Sequence, residues 1–319
     1  MQFETANWRR TLAIGVTAAV LIVLLILLLA RFASNTLTDR YPAPGRMVSV
    51  GTHRLHVYCE GRGAPVVIIE PGIGGGWETW GSVVAGLTSF SRVCVYDRSG
   101  YGWSDPGPND ATASLAASEF HSVLVNAQIR GPYILVAHSF GAYIARIYAD
   151  RFRGDLLGLV FVDPSHEDEA HEHSLNRTLH RLVPASGLPG LEPFVEGEHA
   201  LPPALQGAPV AFRHRFFVGL TYNQAVAVRR ELASVDASEA EVRAARFPRD
   251  LPLTVITATH IVTTDRIGQP EMPNGPRHFE LQASLAELSS RGRQIVVKSG
   301  HLVQMEWPDL IVRSVIGLR

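Results

Sequence analysis

Lysine is almost missing from this chain. Of 29 basic residues only Lys298 is a lysine, and arginine supplies the rest, which we read as genome composition bias. Net charge of one sign is missing too. Thirty acidic residues balance the basic ones to a formal charge of −1, so no basic field for nucleic acid exists. Cysteine is scarce. Cys59 and Cys94 are too few for a disulfide scaffold, and no C-x-x-C spacing offers a metal site. Charge is absent altogether from residues 11–30, "TLAIGVTAAVLIVLLILLLA". What is left is a globular chain of 319 residues behind one very apolar segment.

Twenty helical residues span roughly 30 Å, the thickness of a bilayer core. A cleaved secretory signal has a shorter apolar core, about 7 to 15 residues, ending at a small-x-small site. Here Leu28 stands two residues before Ala30 and does not suit that site. The segment therefore predicts an uncleaved single-pass anchor at 11–30, after a tail at 1–10 and before a polar linker at 31–46. Arg9 and Arg10 precede it, and Arg31, Arg40 and Arg46 follow it. Basic residues do not separate the two sides, but a short basic N-terminus tends to stay inside. The rest of the chain is expected on the extracytoplasmic side.

Beyond the linker, two short alternating runs near 47–50 and 53–59 flank Gly51-Thr52 and predict a hairpin. Continuous apolar runs follow at 65–70, 92–97, 133–138, 156–163, 251–258 and 293–299, as expected of strands buried on both faces. Helical patterns lie between them at 76–89, 112–129, 139–151 and 276–291. This alternation predicts an α/β fold with a doubly wound, mostly parallel sheet of eight strands. The connection from Asp163 to Leu251 is far longer than a usual βα loop. It predicts an inserted helical cap at about 164–250, over the carboxyl end of the sheet where clefts form.

Three stretches carry chemistry. "VAHSFGAYIAR" (136–146) places Ser139 at a strand-to-helix turn between Ala137 and Gly141. Small flanking residues let such a turn close and lift the hydroxyl above the sheet. An ordinary serine N-cap would read the same over five residues. "EPGIGGG" (70–76) follows a strand and can aim the Ile73 N–H, beside that of Phe140, at a developing oxyanion. No Lys-Ser/Thr follows, so it is not a phosphate loop. "VVKSGHLVQMEWPD" puts His301 just past the last strand, as a base after the serine in chain order.

Together with "YDRSGYGWSD" (96–105), these motifs resemble the α/β-hydrolase fold family over roughly residues 47–319. The resemblance implies a Ser139–His301–acid triad with Ile73 and Phe140 as the oxyanion hole. In that family the glycine loop usually begins His-Gly, where this chain has Pro71-Gly72. Asp97 and Arg98 are read as stabilising a turn. The family places its acid after the sixth or the seventh strand, which leaves Asp163 and Asp265. Asp163, directly at a strand end, is favoured, with Asp265 as the alternative. A serine nucleophile separates the chain from the epoxide hydrolase and dehalogenase branches, which use aspartate.

The expected activity is hydrolysis of small uncharged carboxylic esters, without metal or organic cofactor. Amidase, peptidase, thioesterase and carbon–carbon hydrolase chemistry stay open, as does a non-catalytic binding protein of the same fold. "HEDEAHEH" (166–173) has no recognised zinc spacing and is expected as a solvated cap helix. "FRHRFFVGL" (212–220) reads as cap core rather than as an acyl pocket. In the family fold the second strand lies antiparallel beside the fourth. Cys59 and Cys94 can then form a disulfide, suited to an oxidising compartment, or pack as two thiols.

Overall fold

Two alternating runs and six apolar ones become the strands of one sheet. A computed structural model describes residues 2–108, 111–169, 205, 207–219, 221–262 and 272–319. The strands are β1 (Arg46–Ser49), β2 (Arg54–Glu60), β3 (Val66–Glu70), β4 (Val93–Tyr96), β5 (Tyr133–His138), β6 (Leu156–Val162), β7 (Leu253–Ala258) and a C-terminal β10 (Gly292–Val297). Their order is β1-β2-β4-β3-β5-β6-β7-β10. β1 and β2 pair antiparallel, as does β2 with β4, and every other pairing is parallel. A small pair, β8 (His260–Val262) with β9 (Met272–Pro273), was not anticipated.

Helices cover both faces, as a parallel sheet requires. One apolar layer joins the sheet to α3 (Ala113–Asn126) and α4 (Gly141–Arg151), with Leu285 of α8 (Pro276–Ala286). The other joins it to Trp77, Trp80, α2 (Gly81–Leu87) and the last helix, α10 (Pro308–Ile316). The helix expected at 76–89 starts as a 3-10 turn, Trp77–Trp80, before α2. The short α9 (Val303–Glu306) and α10 lie beyond the expected helices. Between β6 and β7 come α5 (Val210–Val218), α6 (Tyr222–Ala233) and α7 (Val235–Ala244). Phe212 and Phe217 of α5 are buried in apolar clusters, as the core reading of that run predicts. Leu220 lies outside the described residues.

The N-terminal segment is one helix, α1 (Gln2–Arg40). It runs through most of the expected linker, because no breaker precedes Pro42 and the residue before a proline disfavours helix. Leu12, Ile14, Leu21, Leu25 and Leu29 are each more than half exposed. Among the described residues no helix is long and apolar enough to cross a membrane. The expected span falls inside α1, where the side chains of residues 2–9, 27 and 30–36 lie outside the described residues.

Cys59 and Cys94 stand directly opposite each other in the β2–β4 register and form a disulfide. The two-thiol alternative is thereby replaced by a covalent tie between neighbouring strands.

Candidate functional site

β3 and β5 lie side by side, and their onward connections leave in opposite directions along the sheet. The crevice outside the carboxyl ends of such strands is where this architecture binds ligands. The glycine loop follows β3 there, and Ser139 follows β5.

Ser139 has φ of 52°, in the left-handed region that a non-glycine residue seldom adopts. Such strain costs on the order of 1–3 kcal/mol and persists only where surroundings enforce it. The enforcement is visible. Ser139 N–H donates to Val162 O at 3.3 Å, and Ser165 N–H donates to Ser139 O at 3.1 Å. The glycines explain why the turn closes. A Cβ on Gly72 would lie 2.9 Å from Ser139 Cβ, and one on Gly141 would lie 2.5 Å from Glu70 O. Helix α4 begins after Phe140, not at Ser139, and the Ser139 hydroxyl lies 3.5 Å from Ser165 Oγ. The N-cap reading of Ser139 therefore fails: its side chain caps nothing.

Asp163 follows β6 and also has a positive φ, 39°. Its N–H donates to Ile256 O at 2.7 Å, and its Oδ1 accepts the Ala258 N–H at 2.9 Å. The carboxylate is thus fixed across β6 and β7. Its Oδ2 lies 2.6 Å from His301 Nδ1. Burial opposes the Asp163 charge, but His278 and His301 outweigh it and hold the carboxyl well below its usual range. His301 keeps 43% of its side chain exposed while Asp163 keeps 4%, so the base faces the cavity and the acid stands behind it. Asp265 lies outside the described residues.

Ser139, Asp163 and His301 line one cavity of about 550 Å³, together with Ile73 and Phe140. Five residues named from sequence thus meet at one place. His138, which the sequence reading passed over as the last residue of a strand, supports this arrangement. Its Nε2–H donates to the His301 carbonyl at 2.9 Å. Burial pushes it down to about 3, so it stays neutral.

The glycine loop is held from behind by Arg98. This buried side chain donates from Nη1 to Pro71 O at 2.7 Å and from Nη2 to Gly72 O at 2.9 Å. It also bonds Glu70 at 2.7 Å and Glu231 of α6 at 2.6 Å. Tyr101 OH donates to Glu231 at 2.6 Å and accepts the Gly74 N–H at 3.1 Å. Glu70 is pushed up to about 7 by burial, against the pull of Arg98 and Tyr96. Asp97 takes Arg215 of α5 at 2.5 Å and His56 at 2.9 Å. The Asp97-Arg98 pair was expected only to stabilise a turn. It also pins two helices of the β6–β7 segment and grips the glycine loop, contacts that no local pattern reveals.

The "HEDEAHEH" stretch departs from its expectation where it is described. His166 and Glu167 are each 8% exposed and sit in a turn, not on a solvated helix. Glu167 pairs with Arg146 at 2.5 Å, which rewards its burial. His171 and His173 lie outside the described residues. Among the described residues no cluster of His, Cys, Asp and Glu suits a metal ion.

Residues 66–313 match the model of the alpha/beta hydrolase family. An AB hydrolase superfamily protein of Gibberella zeae is 26% identical over 278 residues, covering 79% of this chain and 85% of that one. An uncharacterized protein of Bacillus subtilis, YqjL, is 30% identical over 122 residues, 38% of this chain and 48% of that one. Matches to the first curated relatives span about half of their length or less. Among solved structures, a putative lipase from Acinetobacter baumannii superposes with a TM-score of 0.65 at 16% identity, over 90% of this chain and 94% of that one. Identity so low carries the fold alone.

Proposed function

Starting from a chain that belongs to the alpha/beta hydrolase family, we propose a membrane-anchored serine hydrolase that cleaves carboxylic esters through an acyl-enzyme. The observation that carries the reading is the His301–Asp163 contact of 2.6 Å beside a serine held at positive φ in the same cavity. His301 Nε2 takes the Ser139 hydroxyl proton as Oγ bonds to the acyl carbon. The oxyanion that forms is met by the Ile73 and Phe140 N–H groups. When the intermediate collapses, the bond to the alcohol oxygen breaks and His301 returns the proton to it. Water, deprotonated by the same His301, then releases the acid.

Asp163 is the acid in this reading. It holds the His301 Nδ1–H and so leaves Nε2 free to accept. Ile73, Phe140, Leu232, Val235 and Leu281 give the cavity an apolar wall that suits the acyl chain of such an ester. The helices between β6 and β7 act as the cap. The anchor is residues 11–30, supported by their lack of charge and by the exposed leucines of α1. The Cys59–Cys94 disulfide favours a hydrolase domain in an oxidising, extracytoplasmic compartment.

Fluorophosphonate labelling of the membrane fraction tests the reading, followed by an ester and amide panel. The expected result is labelling of the wild type that is lost in Ser139→Ala, with esters turned over faster than amides. Alkaline carbonate extraction tests the anchor: the chain should stay in the membrane pellet, and release into the supernatant would remove the anchor from the account.

A further inference from the structure

The roles above leave two charged groups beside the acid unused. His278 is the third residue of α8, and its ring sits between two carboxylates. Nε2 lies 3.3 Å from Asp163 Oδ1, and Nδ1 lies 3.4 Å from Glu169 Oε1. The side chain is 18% exposed and lines the cavity, as Glu169 does. Its Nε2 is buried and has no well-aligned hydrogen-bond partner. What it brings to Asp163 is therefore charge at short range. Asp163 thus meets two imidazoles, His301 on Oδ2 and His278 on the side of Oδ1.

We propose that His278, held by Glu169, is a positioning residue that shares the Asp163 carboxylate with His301 and so sets the pH range in which His301 works as a base. This rests on the serine-hydrolase reading of the site. A cation against Oδ1 offsets part of the carboxylate charge that His301 feels through Oδ2. The imidazolium formed at His301 during turnover is then stabilised less, and His301 stays ready to accept a proton at lower pH. Glu169, on the far side of the ring, offsets His278 in turn.

The surroundings keep His278 charged. Burial works against its proton, but Asp163 and Glu169 outweigh burial and push it up to about 9. Other charged groups face it from neighbouring elements. Glu239 of α7 and Arg277 of α8 line the same cavity, with opposite signs. His166 meets Ser284 of α8 at 3.1 Å, and burial pushes its own proton affinity down. The ion pairs of Asp163 are with His278 and His301.

The test is the pH dependence of fluorophosphonate labelling and of ester turnover, on the full chain in detergent. His278→Gln should move the acid limb of both profiles to higher pH by about one pH unit, the order expected of one charge acting through a shared carboxylate. Glu169→Gln should move it to lower pH, and His278→Lys, which keeps a cation, should bring it back toward the wild type. A profile that drops evenly across pH in His278→Gln, with its limb unmoved, would show that the residue only packs there and would overturn the proposal. Labelling that survives Ser139→Ala is a separate failure, of the hydrolase reading itself.

Discussion

Arg98 and Asp163 each carry a charge just past the end of a buried strand, β4 and β6, yet they are held by opposite means. Arg98 is locked among other charges. It bonds Glu70, Glu231 and two loop carbonyls, and water reaches almost none of it. Asp163 is held by the backbone on one side and opens on the other to two imidazoles that line the cavity. The first arrangement fixes where backbone groups stand. The second leaves proton positions adjustable. The proposed reaction needs both, because donors to an oxyanion must not move while the base must gain and lose a proton within each cycle.

The largest expected effects break the Asp163 side. Ser139→Ala or His301→Ala should lower kcat by about 10⁶-fold, and Asp163→Asn by about 10⁴-fold, measured on the best ester of the panel. Asp265→Asn should leave turnover near that of the wild type. If Asp265→Asn abolished turnover and Asp163→Asn spared it, the acid would be reassigned.

Breaking the Arg98 side should cost stability first. Arg98→Met leaves Glu70 and Glu231 buried without their cation, which costs about 3–5 kcal/mol in a chemical unfolding titration. Glu231→Gln keeps hydrogen-bonding capacity and should cost less. Its ester turnover should still fall, because Arg98 also orients the glycine loop through Pro71 and Gly72. Unchanged turnover in that variant would separate the network from the oxyanion site.

Reduction of the Cys59–Cys94 disulfide should cost about 2–4 kcal/mol. It lies between β2 and β4, away from the cavity, and so should lower the unfolding midpoint without altering the acid limb of the pH profile.

A pH slope in stability should appear as well, spread over several pH units. His278 has a raised value in the folded state, so its contribution is complete below 6.5 and is lost as pH rises toward about 9. His138 has a lowered value, so its contribution is complete above 6.5 and is lost as pH falls toward about 3. Unfolding titrations should therefore show stability declining on both sides of neutral pH. His278→Gln should flatten the alkaline side only.

The sheet was legible because its strands are buried on both faces and read as unbroken apolar runs, from "PVVIIE" to "RQIVVKS". Ser139, Asp163 and His301 were legible for a related reason. Ser139 and Asp163 follow β5 and β6 directly and His301 lies four residues past β10, so each one's place in the chain gives its place in space. Glu231 and His278 lie on helices whose charged faces look solvated in sequence, and only the tertiary fold turns them toward Arg98 and Asp163. Ser165 and His138 carried no pattern at all. Helix α1 runs on into the expected linker for a different reason: polar residues at 31–40 continue a helix as readily as they end one when no proline or glycine intervenes.

The central claim is an activated Ser139, and labelling of the intact chain by a fluorophosphonate probe measures it most directly. The account predicts rapid, pH-dependent labelling of the wild type, none in Ser139→Ala and strongly slowed labelling in Asp163→Asn. Equal labelling of folded wild type and Ser139→Ala would contradict it, and a folded wild type that never labels while binding a small ester tightly would contradict it as firmly.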